Sequence, residues 1–283
     1  MAFEQDFDEA SRSQWSNVAA GWAADAEKRE RGPAGLAADW MLRAAALEPG
    51  QRVLELACGA GDVGLRAAAA VGPEGRVLCT DFAQPMVDLV RERAAAQGLA
   101  QVEARVLDAQ EPDPGDERFD AILCRLGFML MPEQAKAVAA ARGVLVPGGR
   151  LALAVWAAPE RNPWLSALTD AFMATFDAPP PAPGAPGPFA LADHDRLRDL
   201  LTGAGFGDVT VEEVEGENRH ESIEAWWLDA SEGKGPMSAL TQQLAPEQRE
   251  RVRTHAVAAA ERYAGDDGSV GFPAALVVAV ARA

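Results

Sequence analysis

Three glycines that follow an apolar stretch near residue 53 have types and spacing suited to binding a nucleotide. The segment VLELACGAGDVG (53–64) places Gly59, Gly61 and Gly64 in the spacing G-x-G-x-x-G. Because glycine has no Cβ, a turn of this kind lets a ligand approach the backbone closely. Asp81 lies 20 residues after Gly61 and ends the next predicted strand, where an acidic side chain accepts hydrogen bonds from ribose hydroxyls. These residues predict a nucleotide-type ligand and leave its identity open.

A carboxylate on the strand before the turn bears on which nucleotide binds. Glu55 lies in an otherwise apolar run, four residues before Gly59. Burying its charge is costly unless it is hydrogen-bonded. A pyrophosphate nearby would add repulsion, whereas a cationic ligand would be attracted. Glu55 therefore favours a cationic ligand over NAD, the ligand that the glycine spacing alone indicates.

The turn needs a sheet to support it, and the first half of the chain alternates strand and helix patterns. A helical region is predicted at 10–45, with Trp15 and Trp22 on one face. Strands are predicted at 52–57, 75–81, 102–108, 119–125 and 150–156, and helices at 62–71, 84–97 and 132–146. Short apolar strands separated by helices at this spacing are typical of a parallel sheet with helices on both faces.

The second half of the chain is less regular. Helices are predicted at 163–177, 192–203, 221–231 and 237–264, and strands at 208–214 and 273–283. A proline-rich stretch at 178–189 is expected to form an extended, semi-rigid connection between them. In the segment VLVPGGRLALAV (144–155), a predicted helix end, a Pro-Gly-Gly turn and a strand follow one another. This segment and the two late strands add to the alternating strands and helices of the first half.

Together these segments resemble the class I S-adenosylmethionine-dependent methyltransferases. The resemblance covers about residues 46–215 and the last strand, and rests on VLELACGAG, CTDFAQPM, VLDAQEPDPGDERFDAILCRLGFMLMP and VLVPGGRL in the family's order and spacing. The motif variant is similar to the small-molecule branch related to the ubiquinone and menaquinone C-methylases. A tryptophan-containing helix before the core, such as QWSNVAAGW, also occurs in that branch.

The resemblance implies an α/β fold with a Rossmann-like, seven-stranded, mostly parallel sheet. Its last strand would be antiparallel, with helices on both sheet faces and a helical cap. The implied divisions are an N-terminal helical cap (1–45), a cofactor-binding core (46–155), a cap insertion (156–190), a core helix and sixth strand (191–215), a helical cap insertion (216–270) and a last core strand (271–283). The implied cofactor is S-adenosyl-L-methionine, and the product formed from it is S-adenosyl-L-homocysteine.

The resemblance also implies roles for residues at the carboxyl ends of the strands, where ligands bind in open α/β sheets. Asp81 would bind the ribose hydroxyls, and Asp108 would accept a hydrogen bond from the adenine amino group. The implied cofactor-binding residues are Glu55, Ala57, Gly59, Gly61, Asp81, Phe82, Met86, Asp108, Ala109, Cys124 and Arg125.

Methyl transfer from a sulfonium is an in-line displacement in which positioning of the acceptor supplies much of the rate. A base is required only where the nucleophile must lose a proton, and the sequence identifies no catalytic residue. Aromatic walls would suit an apolar or aromatic acceptor. The candidate pocket residues are Trp15, Trp22, Phe128, Trp156 and His220, the last of which follows the sixth strand and could serve as a base.

The net charge and the cysteines limit the kinds of ligand and partner that the protein is expected to bind. A net charge of −17 disfavours nucleic acid and anionic membrane surfaces and leaves a small-molecule acceptor. The three scattered cysteines are expected to be buried on strands, with no metal site or disulfide framework.

No apolar run is long enough to span a membrane, and the N-terminus lacks a signal-peptide pattern, so a cytoplasmic location is expected. Arginine-rich, alanine-rich usage hints at a bacterial source, and the oligomeric state stays open, a homodimer included.

Two other functions remain open at this point. A protein could bind the cofactor without transferring its methyl group, because the cofactor motif alone does not separate a sensor from an enzyme. An NAD-dependent oxidoreductase would share the glycine turn and Asp81. The large helical cap with its tryptophans favours an enzyme that shields a small acceptor.

Overall fold

The computed structural model describes residues 2–182 and 184–283, with side chains from residue 9 onward. Within this part of the chain, seven strands form one sheet in the order β3-β2-β1-β4-β5-β7-β6. The strands are β1 Arg52–Glu55, β2 Arg76–Asp81, β3 Val102–Val106, β4 Phe119–Arg125, β5 Leu145–Trp156, β6 Gly207–His220 and β7 Val270–Arg282. Strands β1 to β5 are parallel, and β7 is antiparallel to both β5 and β6. The predicted seven-stranded sheet with an antiparallel last strand is confirmed.

Eleven helices of the described residues surround the sheet. They are α1 Ala2–Ala24, α2 Ala26–Arg31, α3 Pro33–Ala45, α4 Gly64–Val71, α5 Gln84–Ala96, α6 Gln134–Gly143, α7 Pro163–Phe176, α8 His194–Gly203, α9 Ile223–Glu232, α10 Pro236–Gln242 and α11 Pro246–Ala260. The helical region predicted at 10–45 is three helices, because the chain is extended at Gly32 before Pro33 begins α3. The region predicted at 237–264 is likewise interrupted before Pro246, since proline offers no N–H to continue a helix.

The core lies in two layers, one on each sheet face. Alternate residues along each strand point to opposite faces, so Val53 and Ala121 join one layer while Leu54 and Ile122 join the other. Helices α3, α4 and α5 cover the first face, and α6 and α8 cover the second. None of the described helices is both long enough and apolar enough to cross a membrane.

Strands β6 and β7 continue as a two-stranded ribbon past the end of β5. Trp156 at the end of β5 pairs with Leu276, whereas the ribbon continues until His220 pairs with Val270. Six further residues at about 3.4 Å each carry it roughly 20 Å beyond the sheet. Helices α7, α9 and α11 pack on this extension around Phe272 and form a separate cluster of buried side chains. The sequence predicted shorter strands because the segment EGENRH holds Gly and Asn, which disfavour strands.

Candidate cofactor and acceptor site

The glycine turn meets the end of β2 at a buried carboxylate. Gly59 and Gly61 have φ of +53° and +80°, the left-handed region that favours glycine. Asp81 is 6% exposed, and its carboxylate accepts hydrogen bonds from the backbone N–H groups of Gly59 (2.9 Å) and Ala83 (3.0 Å). Burial raises the pKa of Asp81, and these backbone amides oppose the increase. The structure therefore brings together the glycines and the acidic residue that the sequence singled out.

Glu55 lies behind the turn, in contact with the first residue of α4. Its Oε2 accepts a hydrogen bond from the N–H of Gly64 at 2.9 Å, and the side chain is fully enclosed. A Cβ at Gly64 would collide with this carboxylate and with the Cys79 sulfur, so the position requires glycine. Burial raises the pKa of Glu55 to about 8, although the positive charge of Arg125 acts in the opposite direction. At neutral pH this pKa favours the protonated form of Glu55, so the structure does not provide the negative charge on which the sequence-based preference for a cationic ligand rests.

Asp62, which directly follows Gly61, is the centre of a charge cluster that sequence analysis did not single out. Its carboxylate is bonded by the guanidinium groups of Arg29 (2.8 Å), Arg93 (2.8 Å) and Arg125 (2.9 Å). Burial raises the pKa of Asp62, but these positive charges hold it below its ordinary value. The cluster connects α2, the glycine turn, α5 and the end of β4. The sequence signal for this cluster is a charged residue, Asp62, inside the glycine turn.

Helix α1 lies over the glycine turn. The Nε1 of Trp22 is 3.1 Å from the position that a Cβ on Gly59 would take. The Arg29 guanidinium stacks on the Trp22 ring at 4.1 Å and also donates to the Trp22 carbonyl oxygen. Trp15 meets Trp22 edge to face at 5.2 Å. The structure therefore places both N-terminal tryptophans at the glycine turn.

The residues after β2 lie beside α1, and the end of β3 lies next to the end of β2. Phe82 and Met86 pack with Trp15 and Trp22 in one small apolar cluster. The N–H of Leu107 donates to the Asp81 carbonyl oxygen at 3.0 Å, so the ends of β2 and β3 are adjacent. Asp108 accepts a hydrogen bond from the N–H of Gln110 at 2.8 Å, and Ala109 beside it is buried.

The end of β4 contributes one charged and two buried residues. Arg125 reaches Glu30 at 2.7 Å as well as Asp62. Cys124 is fully buried, and burial raises the pKa of its thiol to about 12. Phe128 is only 1% exposed and packs within the core. Cys58 and Cys79 are also free and buried. The sequence predicted all three cysteines on strands, which holds for Cys79 and Cys124, whereas Cys58 lies in the turn after β1.

Trp156 and His220 lie near helices outside the sheet, Trp156 beside α7 and His220 near α2 and α9. Trp156 meets Trp164 of α7 edge to face at 5.2 Å. His220, at the end of β6, has a buried Nε2 without a hydrogen-bond partner among the described residues. Burial lowers the pKa of His220, Asp229 raises it, and Lys28 lowers it. Lys28 pairs with Asp229 at 2.6 Å and precedes Arg29, so α2 joins the surroundings of His220 to the glycine turn.

This sheet, with a glycine turn after β1 and a carboxylate at the end of β2, is that of a nucleotide-binding α/β protein. Residues 53–149 match the family model of a methyltransferase domain. The YcgJ protein of Bacillus subtilis has the same fold, with a TM-score of 0.59 at 17% identity over 87% of this chain and 97% of that one.

Two curated relatives are more similar in sequence, and both are ubiquinone/menaquinone biosynthesis C-methyltransferases (UbiE). The Yersinia pestis protein is 32% identical over 180 residues, and the Azotobacter vinelandii protein is 30% identical over 178 residues. Each alignment covers 59% of this chain and 70% of the relative. The chain belongs to the class I S-adenosylmethionine-dependent methyltransferases, in the family of these C-methyltransferases. It is an enzyme that transfers a methyl group from S-adenosylmethionine to a small molecule, and these relatives favour that activity over both alternatives.

Proposed function

We propose that S-adenosylmethionine binds at the carboxyl ends of β1 to β4, and that the acceptor binds between this edge and the helical cap. The observation that carries the proposal is the contact between the glycine turn and Asp81, because a cradle without Cβ atoms beside a carboxylate suits a ribose. The sequence placed all of residues 1–45 in the cap, but α3 packs on a sheet face, so the core would comprise the sheet with α3 to α6 and α8. The cap would comprise α1, α2, α7 and α9 to α11. The free, buried thiols suit a reducing compartment and support a cytoplasmic location.

The residues at this edge fit the cofactor by type. Asp81 would exchange its bond to the Gly59 amide for the ribose hydroxyls, and Asp108 would receive the adenine amino group. Bound S-adenosylmethionine supplies an activated methyl group on a sulfonium. The proposed contacts are Glu55, Ala57, Gly59 and Gly61 from the turn, Asp81, Phe82 and Met86 after β2, Asp108 and Ala109 after β3, and Cys124 and Arg125 at the end of β4.

Replacing Asp81 with alanine should weaken binding of S-adenosylhomocysteine by about 1.5–3 kcal/mol, because hydrogen bonds to a charged partner are lost. This is roughly a 10- to 150-fold increase in Kd, measured by isothermal titration calorimetry. Asp88→Ala is the matched control, since Asp88 is half-exposed on α5 and pairs with Arg91. Heat from NAD, with none from S-adenosylmethionine or S-adenosylhomocysteine, would contradict the assignment of the site.

The acceptor that suits this pocket is an apolar, planar molecule. Trp156 and Trp164 offer aromatic surface on the cap side, and such rings favour flat apolar ligands. The relatives are named as C-methyltransferases of ubiquinone and menaquinone biosynthesis. We propose methylation at carbon of a hydroxylated aromatic ring, with Trp15, Trp22 and Phe128 supporting the walls. The experiment is a screen of labelled methyl transfer into such rings.

The chain's own contribution to the reaction is to hold the acceptor carbon in line with the methyl group and to exclude water. A ring hydroxyl loses a proton as the ring carbon bonds the methyl group and the C–S bond breaks, and we propose that His220 accepts this proton. The methylated carbon then loses its own proton and the hydroxyl is restored, so that one proton is released overall. Its Nε2 is buried and unpaired, and its lowered pKa keeps the imidazole neutral at pH 7, the form that accepts a proton.

Replacing His220 with glutamine should therefore lower kcat by about 100-fold, at the low end of the usual contribution of positioned proton transfer. The affinity for S-adenosylmethionine should not change. In the wild type, kcat should fall as the pH is lowered through the depressed pKa of His220, and this dependence should vanish in His220→Gln. His255→Gln, an exposed histidine of α11, is the control. A kcat of His220→Gln equal to that of the wild type would leave positioning alone as the catalytic device.

A further inference from the structure

Leu126, which follows β4, has a backbone conformation that is unfavourable for its residue type. Its φ is +62°, in the left-handed region where a Cβ crowds the following carbonyl oxygen. The other non-glycine residues with positive φ in the described chain are Ala46, Ala57, Asp177 and Asp208, which are alanines or aspartates. Leu126 thus combines this strain with a large apolar side chain. Strain of this kind concentrates where a ligand is held.

The turn at Leu126 is fixed from two sides. The N–H of Leu126 donates to the Ala154 carbonyl oxygen of β5 at 2.7 Å. A Cβ on Gly127 would lie 2.7 Å from the Ala57 Cβ and 2.8 Å from the Cys124 sulfur, too close to be tolerated. The turn therefore rests directly on the glycine turn. Leu126 is held between the end of β5 and the proposed cofactor site.

Leu126 and Trp156 both lie where the strands end, Leu126 after β4 and Trp156 at the end of β5. They are the two partly buried apolar residues of the described chain that pack against the core on both sheet faces. A side chain can touch both layers only if it stands across the ends of the strands. Arg125, the residue before Leu126, brings no free charge to this position, because its side chain is 8% exposed and its guanidinium is bonded to Glu30 and Asp62. Leu126 and Trp156 form an apolar floor, the name used here for these two residues.

We propose that the acceptor ring lies on this apolar floor, and that Leu126 determines which ring shapes are accepted. The inference rests on the proposed function and adds a specificity-determining residue to it. The strained backbone turns the Leu126 side chain to the level of Trp156, where the two together offer a flat apolar surface beside the cofactor turn. The ligand class that this surface fits is a planar, uncharged aromatic ring.

The test uses 2-naphthol as a planar probe and decahydro-2-naphthol as its non-planar counterpart. Binding is measured by calorimetry on the full chain saturated with S-adenosylhomocysteine. We expect 2-naphthol to bind the wild type at least fivefold more tightly than the decahydro compound. Leu126→Ala and Trp156→Ala should each weaken 2-naphthol at least tenfold. Leu240→Ala, an exposed leucine of α10, should leave its affinity unchanged.

The outcomes separate this inference from the proposed function. Failure of the wild type to bind S-adenosylhomocysteine would overturn the proposed cofactor site. Normal binding of S-adenosylhomocysteine with unchanged 2-naphthol affinity in Leu126→Ala would overturn the apolar floor alone, as would equal affinity for the two probes or no binding of 2-naphthol. Leu126→Gly relieves the strain and removes the same side chain, so it should reproduce the loss of 2-naphthol binding in a stably folded protein.

Discussion

Replacing Asp62 with alanine should lower the free energy of unfolding by about 3–5 kcal/mol, the range for removing one partner of a buried ion pair. The Asp62 carboxylate is 2% exposed and bonds three guanidinium groups, and its loss leaves Arg29 and Arg125 buried with too little negative charge. Urea unfolding monitored by circular dichroism gives the free energy.

A matched control shows whether burial causes this effect. Asp195 pairs with Arg198 on the surface of α8, and its side chain is 91% exposed. Asp195→Ala should cost less than about 1 kcal/mol, as exposed ion pairs usually do. Equal losses for Asp62→Ala and Asp195→Ala would show that the charge cluster does not stabilise the fold.

Raising the pH from 5 to 9 should destabilise the wild type through Glu55. The pKa of this carboxyl is 4.5 in an unfolded chain and about 8 in the folded protein, because burial disfavours the charged form. Between these values the folded state keeps a proton that the unfolded state has lost, so stability falls as the pH rises. At about 1.4 kcal/mol per pKa unit, the free energy of unfolding should fall by roughly 5 kcal/mol over this pH range. This contribution of Glu55 to stability is fully present below pH 4.5 and is lost above about pH 8.

Replacing Glu55 with glutamine should remove this dependence. The amide has nearly the same shape, and its carbonyl oxygen can still accept the hydrogen bond from the Gly64 N–H. Urea unfolding at pH 5, 7 and 9 should therefore give a flatter profile for Glu55→Gln than for the wild type. Glu247→Gln, at an exposed position of α11, should keep the wild-type slope. Parallel profiles for Glu55→Gln and the wild type would contradict a buried, protonated Glu55.

The sequence predicted the glycine turn and Asp81 because their signals are local. Strand, turn and helix follow one another within residues 53–64, and the spacing to Asp81 is set by one βα unit. The order of the core strands follows from the same repeated units, which have few ways to pack.

The Asp62 cluster could not be predicted in this way. The guanidinium groups come from residues 29, 93 and 125, so their partnership depends on how three separate elements pack. The strain at Leu126 was equally hidden, since leucine carries no signal for a left-handed backbone. The depth of Phe128 was hidden as well, because its ring is 1% exposed and packs within the core, where it would support a proposed pocket wall from behind.

The β6–β7 ribbon makes one side of the proposed site more rigid than the other. Its backbone ladder runs without a break from the sheet to His220, and the Asn162 side chain ties α7 to it through hydrogen bonds to Ala275. The ribbon is therefore joined to the core by backbone hydrogen bonds along its length. Helices α1 and α2, in contrast, are held to the described core through side chains, Arg29 among them. We therefore expect ligands to enter and leave on the α1–α2 side, because movement there breaks ion pairs and leaves the hydrogen bonds of the sheet intact.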